Sequence, residues 1–152
     1  MRPLSPKDQI LNKCREYVDV RIATAKQAMD HAQQAANEEG KSSAGDKYET
    51  GRAMMQIERD RAAHQLQEAI QLKTALDQIK SEIVPEKISL GSLVITDSKR
   101  IFISIGIGKL KVSEIEYFVV APTSPLGKAL SGLKVNDQLT FNKEVMTVRE
   151  IL

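Results

Sequence analysis

One proline divides this chain into two stretches of opposite character. Before Val84-Pro85-Glu86 lie 12 of the 14 alanines, with 13 basic residues balancing 13 acidic ones. After it come only two alanines, but 19 Val, Ile or Thr in 68 positions. Ala, Gln, Glu and Lys lose little rotamer freedom in a helix, whereas β-branched residues suit a pleated sheet. Pro85 itself disfavours helical geometry at Val84. The sequence therefore predicts an α+β chain of two units, a helical one over 1–84 and a strand-rich one over 85–152.

In the first stretch, apolar or small residues recur at Ile10, Cys14, Tyr17, Arg21/Ile22, Ala25, Ala28/Met29, Ala32 and Ala35/Ala36. Steps of three and four draw one stripe along a helix. Ser5 can cap it and Pro6 can open it. A second stripe runs through Tyr48, Met54/Met55, Ile57, Arg61, Ala62, Leu66, Ala69/Ile70, Leu76 and Ile79/Ile83. Between the stripes, Gly40 can end the first helix, and Ser43 with Asp46 resembles a capping box for the second. Two helices of about 35 residues would each be roughly 50 Å long. Neither can bury an apolar face alone, so the spacing predicts an antiparallel coiled-coil hairpin. Alanine along the seam supplies little buried area, which leaves a thin projection suited to reaching into a partner rather than to enclosing a substrate.

The second stretch predicts strands at 92–96, 99–107, 117–121, 138–141 and 144–150, in a mostly antiparallel sheet. Ile101, Ile103, Ile105 and Ile107 alternate with Phe102, Ser104 and Gly106, as in a sheet with one better-buried face. Ser124 at a cap, Pro125 at the first position and Gly132 at the exit mark a short helix. Asn142-Lys143 can turn the last two strands back on each other.

The remaining features narrow the chemistry. A net charge of +2 is too small for a protein that coats nucleic acid or anionic membrane. With 41% hydrophobic and 28% charged residues the chain should fold. No apolar run reaches the ~20 residues of a membrane span, and the N-terminus lacks the apolar stretch of a signal peptide, so a cytoplasmic protein is expected. The single cysteine, Cys14, lies on the first stripe and reads as a small buried hydrophobe. His31 and His64 sit in different helices; with the turn near Ser43, His31 faces roughly Met55 and His64 lies ~14 Å further along, too far to share a metal. Met54-Met55 reads as seam packing. Gly106-Ile107-Gly108-Lys109 lacks phosphate-loop spacing and reads as a hairpin or bulge.

One segment carries a family resemblance. Ser124-Pro125-Leu126-Gly127-Lys128-Ala129-Leu130-Ser131-Gly132-Leu133-Lys134-Val135-Asn136-Asp137 resembles the Ser-Pro-(Ile/Leu)-x-x-Ala-Leu-x-Gly-x-x-Val-Gly-Asp signature of the bacterial Gre transcript-cleavage factors (GreA/GreB), with Asn136 where glycine is usual. Gly91-Ser92 and the closing Val148-Arg149-Glu150-Ile151-Leu152 are also similar, as is the order of helical hairpin and β-rich domain. The resemblance implies an FKBP-like C-terminal fold without isomerase activity. It also implies docking on RNA polymerase through Ser124, Pro125, Leu126, Gly127 and Lys128, with the hairpin in the secondary channel. Nucleic acid is then met only indirectly, through the transcription complex, and no membrane, small-molecule substrate or cofactor is implied.

The hairpin tip, Lys41, Ser42, Ser43, Ala44, Gly45, Asp46, Lys47 and Tyr48, departs from the family. Cleavage factors resemble one another in an Asp-x-x-Glu-Asn-x-Glu-Tyr tip, whose first two carboxylates help hold a second magnesium in the polymerase site. A hard dication needs oxygen ligands. Aligned on Tyr48, this chain presents Lys41 and Ala44 at those positions, with Gly45 and Lys47 replacing the asparagine and later glutamate. The expectation is a non-enzymatic factor with no metal or catalytic residues of its own, modulating elongation or initiation. Two alternatives stay open: cleavage stimulation through Asp46 and Glu49, which keep Asp-x-x-Glu spacing, and an interaction module that has lost polymerase.

Overall fold

A computed structural model describes residues 3–39 and 45–152, without the side chains of 39 and 45–49. In chain order the elements are α1 (Pro6–Glu39), α2 (Gly45–Asp77), β1 (Leu93–Thr96), β2 (Arg100–Ile103), β3 (Gly108–Val112), β4 (Ile115–Val120), α3 (Pro125–Leu130), β5 (Gln138–Phe141) and β6 (Glu144–Ile151). The chain is α+β. It divides into two compact units, Met1–Arg15 with Thr74–Leu152, and Glu16–Lys73.

The start of α1 follows the sequence signals. The Ser5 hydroxyl accepts a hydrogen bond from the Asp8 amide (3.1 Å), and the Asp8 carboxylate accepts from the Ser5 amide (3.3 Å) and hydroxyl (3.0 Å). This reciprocal cap satisfies amides the first turn leaves open. The Ser43–Asp46 cap expected for α2 lies outside the described residues and side chains. The end of α2 differs from expectation. The stripe through Ile79 and Ile83 suggested continued helix, but α2 stops at Asp77. The Gln78 and Ile79 amides instead donate three residues back, to Ala75 (3.3 Å) and Leu76 (3.0 Å), tightening the last turn. Ile79 then packs on Gly91, where φ is +91° and an added Cβ would sit 3.0 Å from the isoleucine Cγ2. Glycine is required there by both dihedral and space.

Within Glu16–Lys73, the buried side chains are Val18, Ala25 and Ala32 on α1 and Ala62 and Ala69 on α2. They recur every seven residues, with half-buried Ile22, Met29, Met55 and Leu66 at the intervening positions. That is a coiled-coil repeat with alanine at its centre.

The six strands form one sheet in the order β3-β4-β2-β1-β6-β5. Neighbours are antiparallel except β2 and β4, which run parallel with Ile101 opposite Phe118. The expected strand over 99–107 is two elements. β2 ends at Ile103, Ser104 and Ile107 donate to Val120 (2.9 Å) and Val119 (3.2 Å) at the end of β4, and β3 returns along the other side of β4. The one-sided burial expected of 101–107 is also corrected: 101–105 are all buried. Ile101 and Ile103 join Val94, Leu126, Leu130, Met146 and Val148 in a core on one face. Phe102 and Ser104 point to the opposite face. There Cys14 of α1 lies 3.9 Å from the Ser104 hydroxyl, and the Ser113 hydroxyl donates to the Gln9 side chain (3.0 Å). The first turns of α1 thus cover the second face.

Candidate functional site

The signature segment is organised by backbone geometry. Ser124 caps α3: its hydroxyl accepts from the Gly127 amide (3.0 Å) and donates to the Ala121 carbonyl (2.7 Å). Pro125 fits the first turn, where no amide partner is needed. Gly127 is buried against the incoming chain, and a Cβ there would stand 2.1 Å from the Ala121 carbonyl oxygen and 3.0 Å from Pro122 Cα. Leu126 and Leu130 enter the core. Gly132, at φ +82°, directs its amide to the Ile88 carbonyl (2.9 Å), and Ile88 donates back to Leu133 (2.9 Å). The Asp137 carboxylate accepts from the Lys134 amide (2.8 Å), while Asn136 at φ +78° donates its amide to Val148 (2.7 Å).

Of the five residues expected to dock, Leu126 and Gly127 are therefore turned inward, and Ser124 is half-buried as the cap. Pro125 and Lys128 present exposed surface, and Lys134 and Val135 lie exposed further along the segment. What this site can offer a partner is a proline, two ammonium groups and one apolar side chain on a rigid frame.

Within Glu16–Lys73, α1 and α2 line a shallow groove of about 730 Å³. His31 and Met55 both border it, as the register about Ser43 expects, with Ala28, Ala32 and Ala62 among its small residues. Met54 and Ile57 are exposed, at 58% each, so Met54 is not seam packing while Met55 is half-buried. His64 pairs with Glu68 on its own helix (3.1 Å). Among the described residues no group of three or more His, Cys, Asp or Glu could hold a metal ion. Lys41, Ser42, Ser43 and Ala44 lie outside the described residues. Gly45, Asp46, Lys47, Tyr48 and Glu49 fall in the first turns of α2, their side chains outside the description.

Comparison with known proteins gives structural neighbours only. The transcription factor Gfh1 is similar at 21% identity and a TM-score of 0.35, over 90% of this chain and 91% of that one. GreA factor homolog 1 (Gfh1) of Thermus thermophilus is similar at 21% identity and TM-score 0.36, over 90% and 93% of the two chains. Thermus aquaticus Gfh1 is similar at 20% and 0.34, over 90% and 92%. No protein-family model and no curated protein matches the chain.

Elsewhere, Cys14 is fully buried and its thiol is pushed up to about 11, by burial against the opposing hydrogen bond from Ser104. A thiol so held is protonated at neutral pH and unreactive. Among the described residues no helix is long and apolar enough to cross a membrane. Sequence reasoning passed over Lys7, a buried lysine beside a cavity. Its position before the first stripe gave no sign of burial, because its partners are main-chain oxygens far along the chain, on Ile83 and on the last residue, Leu152.

Proposed function

We propose that this chain is a Gre-like RNA polymerase-binding transcription factor. Its hairpin enters the secondary channel, and it modulates elongation or initiation without strong stimulation of transcript cleavage. One observation carries this reading: an alanine-seamed hairpin and a sheet domain occur in one chain with a Ser124–Asp137 segment resembling the Gre signature. Its marker residues hold definite structural posts, as cap, close approach and left-handed turn. Pro125 and Lys128 supply the exposed docking surface, and the hairpin supplies reach.

The tip decides between modulation and cleavage. A second magnesium needs anionic oxygen ligands, and on the Tyr48 register this chain presents a cation at Lys41 and a methyl group at Ala44. A cation beside the metal position opposes recruitment. The factor is accordingly no enzyme, needs no cofactor and meets nucleic acid only through the transcription complex. Retention by purified bacterial polymerase on a sizing column tests the partner. A protein that elutes alone is the interaction module instead.

With binding in hand, cleavage of backtracked complexes tests the tip. Wild type should stimulate little while displacing an authentic cleavage factor, and Lys41→Asp with Ala44→Glu should gain activity. Robust wild-type cleavage that disappears in Asp46→Asn or Glu49→Gln, with binding intact, would assign the chemistry to that pair.

A further inference from the structure

The flanks of a coiled coil that stands alone in water are normally charged. The groove bordered by His31 and Met55 is an exception. Its α1 wall, Thr24, Gln27, Ala28, His31 and Ala32, has no Lys, Arg, Asp or Glu. On the α2 wall the two charged residues, Glu58 and Arg61, pair with each other at 3.5 Å. Met54 and Ile57 lie one helical turn before Glu58 and Arg61, so they extend that wall toward the start of α2. Both are exposed, although burial of either would contribute about 1.5–3 kcal/mol. Ala28, Ala32 and Ala62 keep the groove clear of long side chains, which lets another helix approach closely.

We propose that this face is an interface between two copies of the chain, packed hairpin on hairpin about a two-fold axis at the level of Ala28. The chain itself offers what the groove lacks. Ala28 lies midway along the α1 wall, and Met54 and Ile57 lie at one end of the α2 wall. Antiparallel pairing about Ala28 therefore sets these two side chains over the far end of the other copy's groove, beside Thr24 and Ala62. Each contact is then made twice, and the interface is closed. A charged face would repel its own copy, whereas the charges lining this one cancel. The stretches 24–32 and 54–65 supply roughly 20 residues a side, the lower end for a specific interface. Where the hairpin enters a channel, pairing would hold the factor out of it; that consequence alone rests on the proposed function.

Sedimentation velocity of the full chain over a concentration series tests this. A dimer is expected, with a dissociation constant on the order of 10–100 µM, as suits a small interface. Met54→Lys with Ile57→Lys should weaken it at least about tenfold, because each hairpin then meets a charge where it buried an apolar side chain. Both positions are exposed, so helical circular dichroism should be unchanged. Ala28→Cys, at the axis, should form an intermolecular disulfide under mild oxidation, whereas Lys26→Cys, outside the groove, should not. The native Cys14 is buried and does not compete. A monomer up to about 500 µM, a dimer unweakened by the double lysine variant, or equal cross-linking through the two cysteine variants would each overturn the proposal.

Discussion

The two units bury different things. The seam of Glu16–Lys73 closes over Val18 and four alanines, whereas the other unit encloses Phe102, Ile101, Ile103, Leu130 and Met146. A buried methylene contributes about 0.8 kcal/mol, and a whole Leu, Ile, Met or Phe side chain about 1.5–3 kcal/mol. Per position, then, the seam gains a fraction of what the sheet domain gains. Its helices rest instead on the high propensity of alanine and on a repeat that lets two backbones lie close. Exposed ion pairs add little: Lys73 and Asp19, 3.7 Å apart, are more than half exposed. The large side chains are thus buried in the sheet domain, and the hairpin leaves most of its described side chains outward.

The sharpest way to break that comparison is Phe102→Ala. Phe102 is fully buried on the sheet face covered by α1, so its loss should cost about 3–5 kcal/mol in urea unfolding. A cost below about 1 kcal/mol would mean that the second face is not a core at all. Gly127→Ala should follow, at about 3 kcal/mol, because the new Cβ meets a backbone carbonyl that cannot swing aside. That loss should appear as a lower Tm of the sheet domain.

The same contrast explains what could be read from the sequence. The Ser5-Pro6 start, the capped α3 and the Asn142-Lys143 turn all rest on local chemistry, and each is found. Asn142 and Lys143 take φ of +51° and +67° between β5 and β6. The features that differ are set by distant partners. β3 was not foreseen although Lys109-Leu110-Lys111-Val112 alternates, because Gly106-Ile107-Gly108-Lys109 reads as a turn and the strand is a short exposed edge blunted by two lysines. Burial of Phe102 and Ser104 depends on α1, some ninety residues earlier. The outward proline and lysine of the signature segment were legible as residue types, but which of its positions face inward required the Ala121 carbonyl to be placed.

Ala62→Leu sharpens the comparison from the hairpin side. Ala62 is 3% exposed in the seam, so three further carbons must push the helices apart or leave their rotamers. Overpacking of this kind should cost about 2 kcal/mol, seen as an earlier loss of helical circular dichroism while the sheet domain melts unchanged. Stabilisation by leucine would show instead that the seam has room, and that alanine there serves something other than close approach.

The smallest effect belongs to Asn136→Gly. The Asp137 amide donates to the Lys134 carbonyl (3.0 Å), closing a turn whose third residue, Asn136, has φ of +78°. Glycine and asparagine are the residues that accept this geometry at low cost. Glycine would relieve the remaining left-handed penalty but also free the unfolded chain, and the two terms nearly cancel. Because the Asn136 side chain is exposed, no packing is lost either. Stability should change by less than about 0.5 kcal/mol, while Asn136→Val, β-branched at positive φ, should cost more than about 1 kcal/mol. That pair of results would make Asn136 a substitute for the glycine usual in the Gre signature, chosen for its backbone. If Asn136→Gly, with Tm unchanged, also weakened retention on polymerase, the amide side chain would be a contact, and the proposed docking surface would extend beyond Pro125 and Lys128 to this turn.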